Sequence, residues 1–502
     1  MQHNKTLDSA TIVGRMLLKG QLKLIAPLII GGGRGLYGDS DIVVLKDEVG
    51  RPFIPSSSIT GALKHAFEDY KYLGHETNYE ENKRWFWGGE YKVEKNGERI
   101  TRTCQSALVI GDMVISEGSK ALVTLRDGIK IDRKTGVVES GKKFDFEIVQ
   151  PGTAFNFEME VIIREAFDGE IFRSIFDWIA AILSSGEFAI GSRTGQGFGL
   201  CKLENLTAYE FNYANRDHII AWLSKGYTAA QLAYDPEKVP LPFQPRSKTF
   251  RIDASLTVKS ALIVGSYPGN TQAPDKVHIS SPNHDGSGDI AVLPGTSLRG
   301  AIRYRAERIV NTLNGNSDDG LRGLFGWVDS ERDSAAKPIK GRIRIKEKQI
   351  PKNTYREEIQ SRIRIDRFTG GVINNALFDS MPIWAQQSNE PMVTLDLEIK
   401  GFEDWEAGLM FLVLKDLWNG DLAVGGEKNV GRGVLQGLSA TISFDDQKIE
   451  MRQDGENLLL YYQGNDPGWD DSIAELLEQK VASLLKNLEE NNTNRKEVTS
   501  NA

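Results

Sequence analysis

Apolar and polar positions alternate loosely over residues 11–30 and end in Leu28-Ile29-Ile30 ahead of Gly31, which predicts a strand closed by a glycine turn. Asp41 to Lys46 predicts a second strand. That excludes a dinucleotide-binding turn at Gly33, Gly35 and Gly38, where a helix would have to begin. Serines 56–58 stand at the start of an amphipathic helix over Ile59 to Tyr72, as N-cap residues before a stripe of Leu63, Phe67 and Tyr70. An aromatic knot, Arg84 to Gly88, and a strand, Leu108 to Ile115, follow. Gly128 to Gly152 is a charged, turn-rich excursion carrying Ile131-Asp132-Arg133-Lys134-Thr135-Gly136. Phe155 to Val161 alternates as a strand, and Ile171 to Leu183 has the 3.6-residue period of a helix. A glycine-rich loop, Gly191 to Gly199, leads into a strand over Leu200 to Leu206. Residues 217–234 read as helical, and Val239 to Pro245 as a proline-rich linker.

Beyond the linker the pattern repeats. Ala261 to Gly265 matches the first glycine turn, and Leu293 to Arg303 matches the serine-led helix start. Arg322 to Gly326 matches the aromatic knot, Ile365 to Gly370 the Ile-Asp-Arg-x-Thr-Gly stretch, and Gly425 to Gly433 the glycine loop. The offsets are 234, 239, 238, 234 and 234 residues, so the chain is a duplication of whole domains. After the second copy, Ser472-x-x-Glu475 forms a capping box. Ile473, Leu476, Leu477, Val481, Leu484, Leu485 and Leu488 then share one helical face, which fits either docking on its own domain or a partner. Asn491 onward reads as a disordered tail.

With 502 residues, 40% hydrophobic and 26% charged, the chain is long enough for several globular domains. Its two cysteines exclude a disulfide scaffold and a cysteine zinc cluster, and they suit a reducing cytoplasm. The apolar run Leu24 to Ile30 is too short to span a membrane, so a cytoplasmic protein without a membrane partner is expected. The net charge of −8 argues against nucleic acid until it is divided. Asp445 to Ala502 holds 13 acidic and 6 basic residues, whereas Lys340 to Arg367 holds 10 basic and 4 acidic. The glycine loops offer backbone amides, and the serine-led helix starts offer free N–H groups, both of which suit phosphate. No Gly-Lys-Ser/Thr closes any of these runs as a P-loop would.

These motifs, present twice in order over roughly residues 15–440, resemble the RAMP superfamily, the repeated backbone subunits of type III CRISPR effector complexes. The resemblance implies an α+β chain of two tandem ferredoxin-like (RRM-type) domains with insertions, plus a C-terminal helix. The domains would span 1–210 and 250–443, separated by a helical segment and linker over 211–249 and followed by an acidic segment over 444–502. It implies a CRISPR guide RNA, a complementary target RNA and other RAMP subunits as partners. The excursions Asp132 to Gly152 and Asp366 to Glu390 would be thumbs that displace a base of the duplex.

RNA contacts are expected at Ser57, Ser58, Lys64, Arg193, Thr194, Gly195 and Gly197. In the second copy they are expected at Ser297, Arg299, Arg303, Lys428, Asn429, Gly431 and Arg432, and the arginines give that copy the stronger phosphate grip. Target-cleaving members of the family carry an aspartate in the loop after the first glycine turn. Asp41 and Asp275 each follow their turn glycine by ten residues, a shared spacing that favours them over Asp39, Asp47, Asp285 and Asp289. The implied chemistry is endoribonucleolytic: attack of a ribose 2′-hydroxyl on its own phosphate, with a divalent metal, Mg²⁺, held by Asp41 and Asp275. His278 and His284 are further proton-transfer candidates. Two alternatives stay open: a non-catalytic structural subunit, and a guide-precursor endoribonuclease using His65 or His75.

Overall fold

The computed structural model describes residues 11–33, 41–75, 78–95, 98–132, 135–268, 272–283, 288–328, 337–388 and 390–500. Of the motifs singled out above, Arg133, Lys134, Gly35, Gly38, Asp39, His284 and Asp285 lie outside them. The chain divides into two compact units, Met1–Arg126, Phe144–Thr194 and Phe198–Arg246 in one, Asp127–Lys143, Gly195–Gly197 and Ser247–Ala502 in the other.

In the first unit the strand Ile12–Leu24 lies centrally, antiparallel to Ala154–Arg164 on one side and Leu200–Asn212 on the other, with Leu108–Ile110 beyond Ala154–Arg164. Helices Ser56–Phe67 and Gly169–Ser184 separate the strands in the order strand–helix–strand–strand–helix–strand, the ferredoxin-like topology. Alternation decides the face: Leu18, Leu22, Met159, Val161 and Leu203 pack with Leu63, Phe67, Phe172, Ile175 and Ile179 of the helices in one core. Asp168 caps the second helix by accepting from the N–H groups of Glu170 (3.0 Å) and Ile171 (3.2 Å).

The second unit repeats this order with Thr249–Val258, Gly295–Thr312, Ile343–Ile345, Val393–Lys400, Asp404–Asn419 and Leu435–Phe444. A further hairpin, Gln447–Asp454 and Asn457–Tyr462, extends its sheet to six strands.

Local differences from the sequence reading have physical causes. The helix expected to reach Tyr72 ends at Phe67, because Tyr70–Tyr72 pairs as a strand with Phe243–Pro245. The strand expected to end at Leu206 runs to Asn212, paired with Gly14–Leu24 of the central strand. The C-terminal helix spans Asp471–Ser500, past the point where a tail was expected, and Asn492 donates to the carbonyl of Asn314 at 2.9 Å. It docks on its own unit. Ile473, Leu484 and Leu488 are buried, and a Cβ on Gly408 would lie 2.2 Å from the carbonyl oxygen of Lys480. Lys480, itself buried, pairs with Asp404 at 2.6 Å.

Candidate nucleic-acid interface and carboxylate sites

Each copy of the repeat carries a two-stranded excursion, Val123–Ile131 with Val138–Val149 and Gln360–Ile365 with Val372–Met381. Its turn holds the aspartate and threonine of the Ile-Asp-Arg-x-Thr-Gly stretch. Asp132 Oδ1 accepts from the backbone N–H and hydroxyl of Thr135, both at 2.7 Å. Asp366 Oδ1 accepts from Phe368 N–H (2.9 Å), Thr369 N–H (2.8 Å) and Thr369 Oγ1 (3.1 Å), and these bonds hold its carboxyl below the usual range. Phe368, in that turn, is 98% exposed.

The base of each hairpin meets a candidate carboxylate. Ile42 bridges to Phe146 and Lys276 to Ser380, both in parallel register and 234 residues apart. Beside these pairs, Asp41 N–H donates to Asp145 Oδ1 at 2.9 Å, and Asp145 N–H donates to Asp41 Oδ2 at 3.2 Å. In the second unit Asp379 N–H donates to Asp275 Oδ2 at 2.9 Å. Asp41 and Asp275 are exposed and occupy equivalent places, each beside a second aspartate that the sequence reading did not single out. The missed signal was the shared offset: Asp379 follows Asp145 by 234 residues. Of the rejected aspartates, Asp47 closes a local turn, accepting from Arg51 Nε at 3.0 Å, and Asp289 lies exposed on a short strand.

Mg²⁺ is a hard cation that prefers carboxylate and water oxygens. Asp379 Oδ1 is buried without a hydrogen-bond partner among the described residues, an oxygen such an ion would satisfy. Asp275 and Asp379 would be the carboxylates to hold such an ion in the second unit, and Asp41 and Asp145 are their counterparts in the first. No cluster of three metal-ligating side chains occurs among the described residues, so water or phosphate oxygens would complete the shell.

The helix starts are built differently from the expectation. Pro55 and Pro294, not serines, occupy the N-cap positions, because their fixed φ suits the entry to a first turn. Ser56 N–H already donates to Asp112 Oδ1 at 2.7 Å, Ser57 is exposed, and Lys64 Nζ donates to the Gly88 carbonyl at 3.1 Å. The second unit does not hold its arginines free for phosphate. Arg299 Nη2 donates to the Phe325 carbonyl at 2.8 Å, and burial, with Arg303 nearby, pushes its pKa down to about 10. Arg303 Nε donates to Glu307 Oε1 at 2.8 Å. Ser297 lies half-buried in the first turn.

The glycine loops superimpose in backbone conformation. Gly191 and Gly425 have φ of +81° and +84°, Arg193 and Glu427 +58° and +57°, Gly199 and Gly433 +78° and +75°. A Cβ on Gly199 or Gly433 would sit 1.8 Å from the carbonyl oxygen of Ile190 or Val424, so closure of the turn itself requires glycine there. Gly195 and Gly197 group with the second unit, where a Cβ on Gly197 would meet Glu347 N at 2.6 Å. Thr194 lies in the short helical turn of this loop. Arg193 stacks over Phe144 (4.9 Å) and Phe146 (4.4 Å). Its counterpart Glu427 is clamped by Arg432 (2.7 Å), Arg362 (2.9 Å) and Lys276 (3.4 Å). Arg432 is 3% exposed and also donates to Gln360 and Ser380, so it does not restore surface charge to the loop. Lys428, Asn429 and Gly431 are exposed.

Two further expectations change. The basic stretch Lys340 to Arg367 is largely paired inside its unit: Arg342 with Glu406 (2.5 Å), Arg344 with Glu398 (3.1 Å), Lys346 and Lys348 with Asp396 (2.9 and 3.3 Å). Burial alone would raise the carboxyl pKa of Glu398, but Arg344 and Arg251 hold it low. Arg364 and Arg367 remain exposed on the hairpin. His278 is buried, its Nδ1 accepting from Val264 N–H (3.2 Å) and its Nε2 lying 3.0 Å from the Val292 carbonyl, and burial brings its pKa down to about 4. With both ring nitrogens engaged it is a structural rivet, not a proton shuttle. His65 and His75 are exposed.

Comparison with known proteins places these features in context. The family model for the RAMP superfamily matches residues 21–202 and again 255–436. A relative, the CRISPR system Cms endoribonuclease Csm3 of Methanocaldococcus jannaschii, is 25% identical over 216 residues, covering 40% of this chain and 83% of its own.

Proposed function

From the premise that this chain belongs to the RAMP superfamily, with two copies of its domain in tandem, we propose that it is a guide-RNA-bound backbone subunit of a type III CRISPR effector that cleaves complementary target RNA. The observation that carries this reading is the carboxylate pair at the base of each hairpin, Asp41 with Asp145 and Asp275 with Asp379. Asp41 and Asp275 accept the proton of a target ribose 2′-hydroxyl. The freed oxygen attacks the adjacent phosphorus, and the 5′-oxygen leaves and takes a proton from water. The products are a 2′,3′-cyclic phosphate and a 5′-hydroxyl end. A bound Mg²⁺ would neutralise charge on the phosphate. The hairpin backbone N–H fixes each carboxylate, and backbone contacts at Ser57, Ser58, Thr194, Ser297, Lys428 and Asn429 hold RNA without reading its sequence. The protein acts in the cytoplasm beside other RAMP subunits. No helix among the described residues is long and apolar enough to cross a membrane.

In the complex assembled with guide RNA, Asp41→Ala and Asp275→Ala each abolish one cut in the target and leave guide binding intact. An unchanged cut pattern in the double variant refutes the assignment. A non-catalytic structural role is the second reading, favoured by the fact that both carboxylates already serve as hairpin anchors, and the same cleavage map decides between them.

A further inference from the structure

Each main sheet has a face turned away from its helices, and the two units treat that face differently. In the first unit it is covered. Leu17, which points opposite to Leu18 of the core, packs with Tyr209 and Phe211 against Ala221, Trp222 and Tyr227 of the segment 216–230. Lys19, further along the same strand, pairs with Glu158 directly across at 2.9 Å and lies 5.0 Å from the Tyr227 ring centre.

In the second unit the same register positions lie 234 residues on. Arg251 and Ser443, paired as Leu17 and Tyr209 are, replace them, so the apolar seat for a cover is gone. After Phe444 the chain continues along the sheet edge as Gln447–Asp454. A groove of about 310 Å³ lies open on this face, lined by Asp253, Ser255, Lys348, Thr394, Ser439 and Thr441.

Asp253 stands where Lys19 stands and faces Asp396 directly across, as Lys19 faces Glu158. An ion pair has become two like charges, an arrangement that destabilises a sheet. Asp396 is relieved from within the unit by Lys346 (2.9 Å) and Lys348 (3.3 Å), and Arg251 is spent on Glu398 at 2.5 Å. Asp253 is exposed at the groove, and no hydrogen bond or ion pair closes on it among the described residues. Partial burial, and then Asp396 opposite, push its carboxyl above the usual range.

An acid held in a like-charge position, partly desolvated and unpaired, is complementary to a cation supplied from outside. The lining decides which cation. A phosphate backbone would meet carboxylates on this face, and a metal ion would meet Lys346 and Lys348 beside Asp396. A guanidinium spreads one charge over several N–H donors. The hydroxyls of Ser255, Thr394, Ser439 and Thr441 supply acceptors for them around the single carboxylate.

We propose that this face of the second unit is a docking surface for another protein, which places an arginine against Asp253. The first unit carries its own cation and its own cover; the second takes both from a partner. The proposal uses the RNA reading above only in placing the chain within a multi-subunit complex.

The test uses the complete complex assembled with guide RNA, with p-benzoylphenylalanine in place of Gln436, an exposed residue paired with Thr257 on the same face. Irradiation and mass spectrometry yield a crosslink to an arginine-containing peptide of another protein subunit. Asp253→Lys, which copies the first unit, and Asp253→Asn each weaken binding of that subunit about tenfold or more in a titration of the purified proteins. Charge reversal of the mapped arginine restores binding to Asp253→Lys. Neither variant lowers the urea midpoint of the chain alone, because each removes the like-charge contact with Asp396. A lowered midpoint in both variants marks Asp253 as structural and overturns the proposal. So does a crosslink to RNA, to a second copy of this chain or to nothing, or undiminished binding in Asp253→Asn. If the complex forms without guide RNA while the crosslink and the charge reversal stand, the RNA reading fails and the docking surface survives it.

Discussion

Arg193 and Glu427 take the same left-handed backbone position in equivalent loops and carry opposite charge. The backbone is dictated by glycines that no larger residue can replace, while each side chain is free to find its own neutralising surroundings: two phenylalanine faces for Arg193, three cations for Glu427. The glycines were legible in the sequence as turn formers. That Arg432 and Arg299 are consumed internally was not, because apart from Glu427 their acceptors lie 26 to 72 residues away. Gly433→Ala places a Cβ against the Val424 carbonyl in a left-handed turn and costs about 2 kcal/mol or more, measurable as a lowered urea midpoint. His278 gives a pH dependence. Its folded pKa, about 4, lies below the unfolded value near 6.5, so the unfolded chain binds the extra proton first. The contribution is fully present above pH 6.5 and is lost as pH falls toward 4, by about 3 kcal/mol. Urea unfolding across that window shows this slope, and His278→Gln flattens it.

The hairpins and the terminal helix show what an element adds to its residues. The Ile-Asp-Arg-x-Thr-Gly stretch was recognisable because an aspartate folding onto the next few amides is a local interaction. The partner of each candidate carboxylate was not, because Asp145 and Asp379 reach Asp41 and Asp275 from 104 residues away through pairing at the hairpin base. Asp145→Asn keeps the backbone N–H to Asp41 but weakens the acceptor. It lowers the Asp41-dependent cut several-fold in a target-cleavage assay while leaving the Asp275-dependent cut unchanged. The C-terminal face of Ile473, Leu484 and Leu488 could be read from its period, but the surface it covers could not. Gly408 is that surface: Gly408→Leu drives a side chain into the Lys480 backbone, undocks the helix and exposes the Asn465–Asp471 connection to limited proteolysis.

At the scale of the molecule, each unit has its own hydrophobic core and its own carboxylate pair, so two active units give two cuts that are lost one at a time. Because Arg342, Arg344, Lys346 and Lys348 of the basic stretch Lys340 to Arg367 are spent on Asp396, Glu398 and Glu406, less of its charge remains for RNA. The chain alone binds single-stranded RNA weakly and with steep salt dependence, which filter binding at two ionic strengths measures; tight binding at high salt contradicts a groove shared with neighbouring subunits. The duplication, the alternation of strands and helices, the hairpin tips and the spacing of Asp41 and Asp275 were determined by sequence alone, because periodicity, glycine turns and aspartate turns act over a few residues and the repeat copies them at a fixed offset. Which cations stay free, which histidine is buried and where the last helix rests were decided only by tertiary structure. Each depends on partners brought together by sheet pairing and burial, and charge and volume are balanced there between residues that the sequence keeps far apart.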